Sequence, residues 1–130
     1  GGLTGWPVPT CRSISSPFGT RMHPILKKIK THTGIDIPGS SGAAIIAVNK
    51  GTVLMAGWQG GYGNTVVIDH GGGITSLYAH CSSVLVSAGE NIDKGKIIAK
   101  VGSTGLSTGP HLHFEVRKNG TPVNPLDYIK

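Results

Sequence analysis

Polar and apolar side chains alternate along His111-Leu112-His113-Phe114-Glu115-Val116, the period-two pattern of a half-buried β-strand. On such a strand His111, His113 and Glu115 share one face, while Leu112, Phe114 and Val116 face the core. Further strand-like runs lie at Ala44–Val48, Gly51–Ala56, Thr65–Asp69, Ile74–His80 and Ile97–Val101. Glycine-rich turn signals punctuate them, among them Gly39-Ser40-Ser41-Gly42, Gly60-Gly61-Tyr62-Gly63 and Gly71-Gly72-Gly73. Asn119-Gly120, between Phe114–Arg117 and Thr121–Val123, predicts a tight hairpin. A single turn near Ser82–Leu85 is the one helical prediction. The pattern predicts a mostly β chain of antiparallel sheets in one compact, barrel-sandwich-like domain over residues 11–130. Residues 1–10, with Pro7 and Pro9, read as an extended lead-in.

Composition narrows this. Twenty-one glycines in 130 residues, with charged residues at only 14%, argue against a helical bundle. A mean hydropathy of +0.04 and a hydrophobic fraction of 38% argue against disorder. At 13.4 kDa the chain can bury one modest core. The net charge of +6 favours an anionic partner. Nucleic acid is not expected, because the basic run Lys27-Lys28-Ile29-Lys30 reads as a solvated loop with no aromatic nearby to stack a base. The longest apolar run, Ala43 to Val48, is too short to span a bilayer. Gly1-Gly2 reads as a vector-derived start, so an export signal or anchor can lie outside this sequence.

The chemistry concentrates in histidines. A second cluster, His32-Thr33-Gly34-Ile35-Asp36, places an imidazole and a carboxylate four residues apart, on a segment whose Gly34 and Pro38 disfavour a helix. On a strand residues 32, 34 and 36 share a face, and Gly34 is expected to leave open space between the two side chains. His32, Asp36 and one of His111 and His113 supply three protein ligands, the number typical of an open catalytic zinc site. The H-E-x-x-H helix motif is absent, so a base must come from the remaining histidines. His80, closing Leu77-Tyr78-Ala79-His80, is the candidate and is expected to share a face with Tyr78. His23 and His70 read as turn residues. Cys81 is expected to point away from His80, as a small core residue or as half of a disulfide with Cys11.

Ser16-Pro17-Phe18-Gly19-Thr20-Arg21-Met22-His23-Pro24, His32-Thr33-Gly34-Ile35-Asp36, Gly63–Gly71, Leu77-Tyr78-Ala79-His80 and Gly109-Pro110-His111-Leu112-His113-Phe114-Glu115 together resemble the lysostaphin-type (LytM-like) zinc endopeptidases of bacterial cell walls, in order over about residues 5 to 130. The resemblance implies a LytM-type fold and a zinc metalloendopeptidase that hydrolyses peptide bonds of peptidoglycan. It matches His32, Asp36 and His113 to the zinc ligands, and His80 and His111 to the two histidines that activate water and stabilise the transition state. It also implies action outside the cytoplasm, in the cell wall or periplasm of a bacterium or through its phage, by a monomer with no membrane span in this chain. Some family members carry a tyrosine in the loop before the first ligand; residues 20 to 31 contain none. Rival expectations are a non-catalytic regulator of the same fold, a cysteine-dependent hydrolase, and a carrier domain. The last rests on Val86–Ile97, which is similar to half of a biotinyl or lipoyl domain with Lys94 nearest the modified position.

Overall fold

The computed structural model describes residues 5–22 and 29–129; the expected turn at His23 and the basic pair Lys27-Lys28 lie outside them. Among the described residues twelve strands account for nearly all regular structure: β1 Gly19–Met22, β2 Ile29–His32, β3 Ile35–Pro38, β4 Ala44–Ile46, β5 Gly51–Trp58, β6 Asn64–Gly71, β7 Ile74–Cys81, β8 Ser83–Val84, β9 Asn91–Ile92, β10 Ile97–Lys100, β11 His111–Lys118 and β12 Thr121–Val123. Single 3₁₀ turns occur at Gly60–Tyr62 and Pro125–Asp127. No helix among the described residues is long and apolar enough to cross a membrane.

The fold is mostly β, and its strand pairings are antiparallel. The largest sheet runs β12-β11-β7-β6-β5-β9 and does not close into a barrel. β11 is its pivot. One edge of β11 pairs with β7, while the other takes β3 along His111–Phe114 and β12 along Val116–Lys118. The hairpin to β12 turns through Asn119 and Gly120, both with positive φ, as the Asn-Gly signal predicts. A smaller sheet, β4-β10-β8, contributes Ile45, Ile98 and Ala99 to a core shared with Ile35, Ile37, Val66, Ile68, Tyr78, Leu112, Phe114 and Val116 of the large sheet. Trp6 and Val8 are buried in the same core, and the Trp6 indole N–H donates to the Cys11 carbonyl.

Several local expectations are revised. Ser82–Leu85 is extended rather than helical, because the Ser82 and Leu85 amides donate to the Lys100 and Ile98 carbonyls of β10. Tertiary pairing here outweighs local propensity. Lys94 lies in a turn between β9 and β10, which belong to different sheets, so it is not the tip of a paired hairpin. His70 sits within β6 instead of a turn. Its Nδ1 is 2.8 Å from the Lys50 carbonyl and its Nε2 is 2.7 Å from Ser76 Oγ. Cys81 is buried in the core, and both cysteines are free.

Candidate active site

β11 carries the centre. Its apolar residues Leu112, Phe114 and Val116 enter the core, as the alternation predicts, but the opposite face is buried too: His113 is 7% exposed and Glu115 0%. A strand buried on both sides is a rigid platform for polar groups. β3 delivers Asp36 directly opposite His113 in the register. His32 ends β2, and the bend at Thr33-Gly34 separates it from β3, so His32 and Asp36 sit on two strands joined by a bend rather than on one strand. Gly34 has no open space above it. A Cβ there would meet the Phe114 carbonyl oxygen at 2.2 Å and Glu115 Cγ at 2.9 Å, so the bend presses backbone to backbone against β11. That contact brings His32 and Asp36 to His113.

Three donor atoms converge. His32 Nε2 is 3.4 Å from Asp36 Oδ1 and 3.3 Å from His113 Nδ1, and His113 Nδ1 is 3.1 Å from Asp36 Oδ1. Zinc bonds of about 2.0–2.1 Å at tetrahedral angles separate neighbouring ligand atoms by about 3.3 Å. The triangle fits one face of that tetrahedron, and two imidazoles with one carboxylate are a chemically suitable set. His32, Asp36 and His113 are the group of possible metal ligands among the described residues.

Hydrogen-bond partners settle which nitrogen each imidazole offers. His32 Nδ1 is 2.8 Å from the Pro17 carbonyl, His111 Nδ1 is 2.9 Å from the Gly109 carbonyl, and His80 Nδ1 is 2.7 Å from the Thr104 carbonyl. A carbonyl only accepts, so each Nδ1 carries the proton and each neutral ring keeps its lone pair on Nε2. His113 is reversed. Its Nε2 donates to Glu115 Oε2 at 2.7 Å, so Nδ1, which faces Asp36 Oδ1 at 3.1 Å, is the nitrogen turned to the triangle and the one whose proton a metal would displace.

His111 and His80 stand beside the triangle. His111 Nε2 is 3.7 Å from Asp36 Oδ1, and the His80 ring lies 5.0 Å from that of His111 and 6.1 Å from that of His113. His80 has a φ of 62°. This left-handed turn ends the strand alternation, so His80 and Tyr78 do not share surroundings as the sequence suggests: Tyr78 Oη is buried and accepts from the Val48 amide. Non-glycine residues in this conformation are uncommon and collect at functional sites.

Electrostatics follow from the burial. Burial alone would lower the His113 pKa, but its hydrogen bonds to Asp36 and Glu115 outweigh that and hold it up at about 9. Burial would raise Asp36, yet the hydrogen bond to His113 and the flanking imidazoles keep it below the usual carboxylate range. Glu115 is held down at about 2, against its burial, by donors from His113, Tyr62, Thr33 and Arg117. Burial pushes His80 below the ordinary histidine value and so favours its neutral form. Burial also pushes the Cys81 thiol up to about 12, which is unsuited to a nucleophile.

The structure thus brings together all five histidine and aspartate positions singled out in the sequence. It also adds residues that sequence reasoning passed over. Glu115 was visible as the third polar member of the His-x-His-x-Glu alternation. Tyr62, whose hydroxyl donates to Glu115 at 2.7 Å and whose ring stacks on His113 at 5.6 Å, carried no local signal. A groove leads away from the centre: Gly61, Tyr62, His80 and Leu106 line a pocket of about 320 Å³. Gly61 and Leu106 are shared with an adjoining, largely apolar depression of about 510 Å³, completed by Trp58, Gly60 and Gly105.

Residues 30–125 match Peptidase family M23. The chain belongs to that family. Among family M23 relatives, DD-carboxypeptidase/endopeptidase Mpg of Neisseria meningitidis serogroup B is 52% identical over 113 residues, covering 87% of this chain and 26% of Mpg. Murein hydrolase activator NlpD of Escherichia coli K12 is 42% identical over 128 residues, covering 98% of this chain and 32% of NlpD. The crystal structure of a zinc-containing peptidase from Vibrio cholerae superposes with a TM-score of 0.88 at 34% identity, over 95% of this chain and 39% of that one. This M23 chain therefore spans about a quarter to a third of the length of the curated relatives it matches.

Proposed function

We propose that this chain is a zinc-dependent endopeptidase that hydrolyses peptide bonds in the peptide part of bacterial peptidoglycan, outside the cytoplasm. The observation that carries the reading is the donor triangle with two further imidazoles beside it. His32 through Nε2, Asp36 through Oδ1 and His113 through Nδ1 would hold the zinc. The metal, when bound, supplies Lewis acidity that polarises a carbonyl and acidifies water.

The chain's own groups do the rest. His111 and His80 each have Nδ1–H fixed on a backbone carbonyl, so neither ring must turn to use Nε2. One of them takes the proton of the attacking water and returns it to the leaving amine, a role worth about 10²–10⁴-fold. The other, in its imidazolium form with a solvent-derived proton on Nε2, donates a hydrogen bond to the oxyanion as charge develops there. The missing loop tyrosine leaves that task to a histidine. The groove floored by Gly60, Gly61 and Gly105 admits an extended peptide close to the backbone, between Trp58 and Leu106. The basic balance of the chain suits an anionic wall.

Zinc content per chain, measured with mass spectrometry of fragments released from purified peptidoglycans of different cross-bridges, tests this. One zinc per chain and release that stops with excess chelator are expected. Continued release in chelator, or in His113→Ala, overturns the reading. A second reading, a regulator without turnover, draws on the likeness to NlpD. It predicts no released fragments even with zinc bound.

A further inference from the structure

Glu115 is completely buried, and five donors surround it. Thr33 Oγ1 at 2.8 Å, Tyr62 Oη at 2.7 Å and His113 Nε2 at 2.7 Å all reach Oε2. Arg117 reaches Oε1 through Nε at 2.8 Å and through a terminal nitrogen at 2.7 Å. Burying a carboxylate is costly, and the cost is offset only when donors are aimed at it. Glu115 stands on the polar face of β11 with His111 and His113, opposite Leu112, Phe114 and Val116, so core packing does not account for it.

We propose that Glu115 is the positioning residue of the metal centre, acting on all three ligands through one oxygen. Its direct action is on His113: a carboxylate only accepts, so the imidazole proton is held on Nε2 and Nδ1 is turned to the triangle. The other site histidines rest on neutral carbonyls, so His113 alone gains the added donor strength of a carboxylate partner. Its indirect action is on the bend. Thr33 lies between His32 and Asp36, and its bond to Oε2 fixes the segment that presents both. Tyr62 joins the same oxygen to the groove wall.

A glutamine isostere cannot reproduce this arrangement. Its single carbonyl oxygen can face Arg117 or the His113 side, never both. If the amide NH₂ faces His113, Nε2 must accept, the proton moves to Nδ1, and the ligand lone pair is lost. If it faces Arg117, two sets of donors oppose each other. This inference rests on the zinc reading above, and zinc competition against a chromophoric chelator tests it. Glu115→Gln is expected to bind zinc about 10–100-fold more weakly than the wild type. Arg117→Met, which removes the ion pair of the buried carboxylate, is expected to lower the melting temperature but, because it leaves the Glu115–His113 bond, to keep zinc affinity within about threefold of the wild type. Equal affinity of Glu115→Gln and wild type overturns the proposal, as does equal loss in both variants, which would mark Glu115 as packing alone. Wild-type protein that takes up no zinc overturns the zinc reading itself. Should Glu115→Gln not fold, long-range ¹H–¹⁵N correlation on zinc-loaded, ¹⁵N-histidine-labelled wild type decides. A proton on His113 Nε2 supports the proposal, and a proton on Nδ1 refutes it.

Discussion

Replacing Gly34 with alanine adds one methyl group and tests the central geometric argument. The new Cβ would lie 2.2 Å from the Phe114 carbonyl oxygen and 2.9 Å from both the Phe114 carbonyl carbon and Glu115 Cγ. The nearest obstacle is backbone in the middle of the large sheet, which cannot rotate aside as a side-chain tip can. An ordinary C···O approach is about 3.3 Å, so the bend must lift from β11 by roughly 1 Å. That movement carries His32 and Asp36 away from His113 and stretches the Thr33–Glu115 hydrogen bond. Overpacking of this kind costs about 1–3 kcal/mol, which a folded domain can survive. A displacement of about 1 Å at a catalytic constellation costs on the order of 10²-fold in rate. Gly34→Ala should therefore remain folded by circular dichroism with a lowered melting temperature. It should bind zinc more weakly and release peptidoglycan fragments about 100-fold more slowly. A variant with wild-type zinc affinity and turnover would show that the bend has slack and that its contact with β11 does not set the ligand triangle.

Stability should fall below about pH 6.5 in part through His70, which burial holds below the ordinary histidine pKa. Its neutral form contributes fully above the unfolded value near 6.5 and loses that contribution as pH drops through the lower folded value. His70→Gln should flatten the urea midpoint between pH 7 and 5, and an unchanged slope would refute the assignment. The double variant Cys11→Ala/Cys81→Ala should keep its turnover, and thiol alkylation should not inhibit the wild type, since Cys81 is buried and held protonated. Inactivation by alkylation that chelators do not reproduce would favour a cysteine mechanism instead. Leu106, 86% exposed at the groove, should tolerate Asp in stability while raising KM for polymeric peptidoglycan several-fold, and an unchanged KM would place the substrate elsewhere.

Strand content and the His-x-His face were legible in the sequence because both depend on period-two alternation, a local property. All six strand-like runs became strands with ends shifted by no more than two residues, and the Asn119-Gly120 hairpin formed as its turn chemistry requires. Non-local facts were not legible. The choice of His113 over His111 for the triangle depends on Asp36 standing opposite residue 113 in the β3–β11 register. Gly34 suggested open space because a glycine in sequence does not reveal whether its missing side chain faces solvent or another backbone. His80 and Tyr78 were expected on one face because nothing local marks the positive φ at His80. Tyr62 reaches the centre from a loop 53 residues before Glu115, a separation no pattern spans.

The loops that form the groove are joined to each other more tightly than their glycine content suggests. A Cβ at Gly63 would meet Thr104 atoms at 2.5–2.6 Å, and one at Gly105 would meet the Gly61 oxygen and Gly63 nitrogen at 2.5 Å. The Leu106 amide donates to the Gly61 carbonyl, and the Asn64 amide donates to Thr104 Oγ1. Two segments about 40 residues apart thus form one splice, with no room for added side chains at the join. The side chains of Trp58 and Leu106 project from this splice into solvent. Redesign of substrate preference can begin with libraries at positions 58 and 106, leaving the splice itself as the fixed frame on which they are displayed.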